Sequence, residues 1–139
     1  MITRLSYVNV WVLDRDEAIA FYRDKLGFDV RRDMTLDGFR WVEVGPKGQP
    51  DVALVLNEPT PPMMDEESAA AIRSLLAKGA LSGGVLATDD CRATFDELSA
   101  KGVTFLQEPA DRPYGVEAVF RDNSGTWFSL TEPREMQLG

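Results

Sequence analysis

The feature that most constrains this chain is a repeat. Asp14, Gly27 and Glu58-Pro59 recur as Asp90, Gly102 and Glu132-Pro133, in the same order and at separations that drift only from 76 to 75 to 74 residues. A drift that small across a whole unit marks an internal duplication. The chain must therefore fold as two similar units, and each local reading of one copy must also suit the other.

In the first copy, Leu5 to Val12 alternates like a half-buried strand, with Val8, Val10 and Val12 on one face and Tyr7, Asn9 and Trp11 on the other. Asp14 is placed to cap a helix with Glu17 in a capping-box arrangement, and Ala18, Ile19, Tyr22 and Leu26 keep helical spacing until Gly27 ends it. A short strand around Phe28 to Arg32, a turn near Leu36-Asp37-Gly38, and strands over Phe39 to Val44 and Asp51 to Asn57 complete a βαβββ unit. Val42 and Val44 oppose Phe39, Trp41 and Glu43, while Leu54 and Leu56 oppose Ala53, Val55 and Asn57. The intervening Gly45-Pro46-Lys47-Gly48 lacks the Gly-Lys-Ser/Thr ending and the following helix of a phosphate loop.

The second copy predicts a strand from Gly83 to Thr88, a helix capped at Asp89-Asp90 with Cys91, Phe95 and Leu98 on its apolar side, and strands over Val103 to Leu106, Val116 to Arg121 and Thr126 to Thr131. Pro109 to Gly115 reads as a loop. In the last turn Asp122 can accept from the turn amides and Gly125 supplies a positive φ; beyond it Phe128 and Leu130 oppose Trp127, Ser129 and Thr131. Between the copies, Glu58-Pro59-Thr60-Pro61-Pro62 breaks regular structure. Asp65 then opens a linker helix with an Ile72, Leu75, Leu76 stripe that closes at Lys78-Gly79. A connector packed outside the sheet and a lid on a site are both compatible with it. The expected class is α+β, one structural domain with a first unit at 1–59, a linker at 60–81 and a second unit at 82–139.

Composition narrows the chemistry. Zero histidine excludes a Cys-His or Ser-His-Asp mechanism, and the single Cys91 suits a small buried position in a reducing, cytoplasmic setting. A net charge of -8, dispersed along the chain, argues against nucleic acid as a partner. The amino-terminal Met1-Ile2-Thr3-Arg4-Leu5 runs straight into a strand without a signal peptide, and no apolar stretch approaches a membrane span.

Val12-Leu13-Asp14 leading to Phe21-Tyr22 and Leu26-Gly27-Phe28, followed by Asp122-Asn123-Ser124-Gly125-Thr126-Trp127-Phe128-Ser129-Leu130, resembles the vicinal oxygen chelate superfamily of glyoxalases, extradiol dioxygenases and bleomycin-resistance proteins. The resemblance implies that each βαβββ unit curls into a half-barrel and that two units share a cup, where many members hold a divalent metal. The family's ligand positions fall here on Tyr7, Val55, Gly83 and Ser129, an unsuitable donor set for a divalent ion. No cofactor is therefore expected; Glu43 and Glu117 would at most favour a weak, oxygen-ligated site.

The face carrying those positions also carries Trp11, Trp41 and Trp127, all the tryptophans of the chain. Either they line an aromatic pocket or they form core or dimer interface. A pocket with Asn9, Ser129 and Tyr114 as polar anchors suits a planar, largely apolar molecule, and an inward Glu43 would favour a cation. This resembles the metal-free antibiotic-binding branch of the family. Three readings follow: a sequestering small-molecule binder, a lyase- or isomerase-type enzyme whose Glu43 or Glu117 has a pKa raised by burial, and an interaction module without ligand. A homodimer is expected because open sheet edges invite a second copy.

Overall fold

The computed structural model describes residues 1–135. The element order is β1 (Tyr7–Trp11), α1 (Arg15–Ala20), β2 (Asp29–Leu36), β3 (Phe39–Gly45), β4 (Ala53–Asn57), α2 (Glu66–Ala77), β5 (Ser82–Ala87), α3 (Cys91–Ala100), β6 (Thr104–Arg112), β7 (Gly115–Arg121) and β8 (Trp127–Pro133). The strands form two four-stranded mixed sheets of the same design, ordered β1-β4-β3-β2 and β5-β8-β7-β6. In each, the first strand pairs parallel with the last and every other pairing is antiparallel. The α+β class and the duplicated βαβββ unit are thus observed. The last four residues of the expected second unit lie outside the described residues.

The repeat is also a repeat of hydrogen bonds. Asp14 and Asp90 accept from the Glu17 and Ala93 amides at 2.9 and 3.0 Å, each capping its helix. Glu58 and Glu132 reach back from the ends of β4 and β8 to the Arg15 and Cys91 amides at 3.3 and 3.0 Å. The exit of each first strand is closed alike, by the Val12 amide on the Asn57 carbonyl and the Thr88 amide on the Thr131 carbonyl, both at 2.9 Å. The residues that keep register in the sequence are thus the ones that tie each helix to its own sheet.

One core joins the units. Val10, Val12, Ile19 and Phe21 of the first cluster with Leu98, Val103, Phe120 and Phe128 of the second. Tyr22, fully buried at the π-helical turn Phe21–Lys25 that extends α1, sets its ring edge-on to Phe128 at 6.3 Å. Its hydroxyl donates to Asp122 at 2.7 Å across the two units. The same carboxylate accepts the Ser124, Gly125 and Thr126 amides at 2.9, 2.9 and 3.0 Å, so the expected turn forms around it. Gly125 has φ +117°, and a Cβ there would overlap the Leu76 carbonyl, which is how the end of α2 docks onto this turn. α2 is accordingly a connector seated on the hairpin. No helix among the described residues is long and apolar enough to cross a membrane.

Two strands differ from expectation. β2 runs on to Leu36, and its return is a tight turn in which Asp37 and Gly38 both take positive φ. β6 continues to Arg112, so Pro109 to Arg112 is strand rather than loop and only Pro113-Tyr114 turns. Pro109 and the two register shifts that break the alternation are tolerated because β6 is the edge of its sheet, where a missing N–H breaks no ladder.

Candidate functional site

Each sheet has one face on the shared core and one open face. The open faces are recessed at their centres: Val55, Glu43 and Asn57 in the first, and Ser129 and Thr131 in the second, are buried, whereas the rim residues Tyr7, Phe39 and Leu36 are exposed. Buried centres with exposed rims are what a strongly curled sheet produces.

On the first open face the register places Asn9, Val55 and Glu43 in one row across β1, β4 and β3, with Arg32 beside Glu43 on β2. The Trp41 indole N–H donates to Glu43 at 2.6 Å, and the Arg32 guanidinium lies 3.5 Å from the same carboxylate oxygen. The Tyr7 ring packs edge-on against Trp41 with centroids 5.6 Å apart. Together with Met34, Leu36 and Phe39 these side chains line a shallow pocket of about 310 Å³. Glu43 is only 6% exposed, so this carboxylate is not a solvated strand residue. Asn9 is held apart from this pocket by Asn57, whose amide donates to it at 2.6 Å while Arg15 donates to Asn57 at 3.2 Å.

The second open face carries a polar cluster. Glu117 accepts from the Ser129 hydroxyl at 2.5 Å and the Tyr114 hydroxyl at 2.7 Å, and Ser129 also meets Thr131 at 2.9 Å. The Ser129 bond above all, then the Tyr114 bond and the Arg112 charge, hold the Glu117 carboxyl below the ordinary carboxylate range despite partial burial. An acid–base role required a pKa raised by burial; hydrogen bonding reverses that expectation and makes Glu117 a weak base. Tyr114 in turn is pushed up by donating to Glu117.

The expected site residues thus fall into groups. Tyr7, Trp41 and Glu43 meet in one pocket, Tyr114, Glu117 and Ser129 meet in another cluster, and Val55 floors the first face. Trp11 and Trp127 are half-buried and line none of the cavities described here; the Trp11 carbonyl accepts from the Thr126 hydroxyl at 3.4 Å. Met34, Leu36 and Phe39 were not among the expected site residues. Extending the Arg32, Met34, Leu36 alternation past Arg32 would have found the two on β2.

The ligand positions of the wider family do not fit a metal. Tyr7 packs on Trp41, Val55 is a buried isopropyl group, and Ser129 is engaged by Glu117 and Thr131. Gly83 sits at a register shift in β5 that turns its missing Cβ toward the Phe128 ring, away from the open face. Among the described residues no three histidine, cysteine, aspartate or glutamate side chains come together as a metal-holding group. Cys91 is buried with its Sγ 3.5 Å from the Leu130 carbonyl, and burial raises its thiol pKa, so it is no nucleophile. A further cavity of about 470 Å³ lies on the helix side, between Lys25, Phe28, Leu86, Thr94 and Leu98.

Known proteins place this architecture. The family model described as the Glyoxalase/Bleomycin resistance protein/Dioxygenase superfamily matches residues 4–130. The crystal structure of UcmS2 superposes with a TM-score of 0.91 at 55% identity, over 95% of this chain and 99% of that one. TnmS3, an antibiotic binding protein from Streptomyces sp. CB03234, superposes with a TM-score of 0.76 at 32% identity, over 96% and 98%. The uncharacterized protein YetH of Bacillus subtilis (strain 168) is 30% identical over 133 residues, covering 95% of this chain and all of YetH. The chain belongs to the glyoxalase/bleomycin resistance protein/dioxygenase superfamily.

Proposed function

We propose that the protein binds and sequesters a planar, largely apolar aromatic small molecule on the open face of its first unit, without chemical conversion. The observation that carries this is the pairing of the exposed Tyr7 ring with the half-buried Trp41 indole over the buried Glu43 carboxylate. Exposed apolar side chains gathered around a concave pocket with one polar group at its floor are the general form of a small-molecule site. The similarity to TnmS3, an antibiotic binding protein, supports a binding role over a catalytic one. Glu43 and the ionised Glu117 favour ligands that carry a donor or a positive charge.

A homodimer completes the site in this reading. No hydrogen bond, ion pair or ring contact among the described residues links the Tyr7–Trp41 face with the Glu117–Ser129 face of the same chain. A second copy would bring its Glu117, Ser129 and Tyr114 over the first copy's aromatics, joining anchor to stacking surface.

Tryptophan fluorescence tests the proposal. Quenching by members of a panel of planar aromatic compounds at micromolar concentration is expected, with affinity lost by about tenfold or more, roughly 1.4 kcal/mol, in Trp41→Ala. Silence across the panel, or a Trp41→Ala protein that binds as well as the wild type, would overturn it. Sedimentation should show a dimer whose ligand affinity falls in Glu117→Gln.

A further inference from the structure

Resting on that reading of the first open face, we propose that the ligand is elongated. Its planar ring system occupies the Tyr7–Trp41 pocket, and a second aromatic or apolar group crosses Phe39 into a cleft walled by the linker. Two adjoining cavities carry this. The first, about 310 Å³, is near the lower bound of about 300 Å³ for a drug-sized site. The second, about 530 Å³, lies between Arg15, Arg40 and the linker residues Thr60 to Met63. Phe39 lines both, so its exposed ring is the divider over which a single molecule would pass.

The chemistry of the second cleft selects its occupant. Its two guanidinium groups are already neutralised. Arg40 binds Asp33 at 2.9 Å and Asp16 at 2.8 Å, and Arg15 binds the Leu56 carbonyl at 3.0 Å, Asn57 at 3.2 Å and Glu58 at 3.4 Å. They therefore offer flat faces for stacking rather than charge for an anion, and Arg15 already lies 5.7 Å from the Phe39 ring centre. On the opposite wall Pro61 and Pro62 have no N–H to offer, and Met63 is exposed. The wall is anchored, since Arg73 of α2 donates to the Pro59 carbonyl at 2.9 Å. The linker is on this account part of the binding site, and it reads the ligand's second group.

Two probes with one ring system separate the extension from its premise. By calorimetric titration of the full chain, 9-anilinoacridine should bind about tenfold tighter than 9-aminoacridine, because only the former has a ring to place beyond Phe39. Met63→Glu, a change confined to the second cleft, should bring the two affinities within about twofold, since any effect of the added charge acts on both acridinium rings alike. Equal affinities in the wild type, or a preference that survives Met63→Glu, would overturn the elongated ligand and leave the first pocket standing. Failure of both probes to bind would overturn the first pocket as well.

Discussion

The two units secure their last hairpins with opposite chemistry. In the first, the Arg31 guanidinium donates to the carbonyls of Pro46 at 2.7 Å and of Gln49 and Val52, closing the β3–β4 loop around a cation. In the second, the Asp122 carboxylate gathers three turn amides, closing the β7–β8 turn around an anion, and it alone also reaches the other unit through Tyr22. Their open faces diverge too: in the first a carboxylate is held by an indole and a guanidinium beneath the Tyr7 ring, in the second a carboxylate is held by two hydroxyls. The helix caps and the Glu58 and Glu132 back-bonds, by contrast, coincide. A duplicated half-barrel is thus specified by a few hydrogen bonds at its element ends, and the faces those bonds do not touch have been free to take on different chemistry.

The largest test of this contrast is Asp122→Ala. It leaves the buried Ser124 and Thr126 amides and a buried phenol without an acceptor, while the Gly125 amide keeps the Asp122 backbone carbonyl, and urea unfolding should show a loss of about 3 kcal/mol. Arg31→Met should cost about 1–2 kcal/mol, because its carbonyls lie near the surface and can turn to water. Equal losses would mean that the tie between the units adds nothing. Burial pushes the Asp122 carboxyl up, against the pull of Tyr22 and the amides.

The shared features should instead respond alike. Asp14→Ala and Asp90→Ala are each expected to cost about 1 kcal/mol, agreeing within about 0.5 kcal/mol. A cap that matters in one copy alone would show that the hydrogen-bond repeat is not an energetic one.

The smallest effect is the acid limb of Glu117. Its folded pKa lies below the ordinary 4.5, so its contribution is fully present above that value and is lost as pH falls through the folded pKa. The stability gap between the wild type and Glu117→Gln should therefore close as unfolding is measured from pH 6 downward, starting at about pH 4.5. A gap that widens instead would mean that the Ser129 and Tyr114 bonds do not favour the ionised form.

Part of the candidate pocket was legible. Strand alternation put Tyr7, Trp41 and Glu43 on one face, since a period of two leaves no choice once a core face is assigned. It did not bring the three tryptophans together, because alternation sets a face and not a neighbour across sheets. Gly83 was misplaced for a related reason: one residue added at the β5 register shift reverses the side-chain direction, and nothing in a glycine pair announces it. Glu117 could act as an acid–base group only with a pKa raised by burial, and its depressed pKa depends on two hydroxyls that meet it across the β7–β8 pairing and the Pro113-Tyr114 turn.

By itself the sequence determined the duplicated βαβββ plan, the caps and turns that build it, and the loss of the family's usual ligand side chains, because each is written in local spacing and residue type. Only the tertiary structure decided which open-face residues meet, that Tyr22 and Asp122 lock the units together from a hundred residues apart, and that the linker walls a cleft on the far side of Phe39. Those outcomes depend on how two curled sheets and a connector pack, a matter of contacts between distant residues that no local pattern encodes.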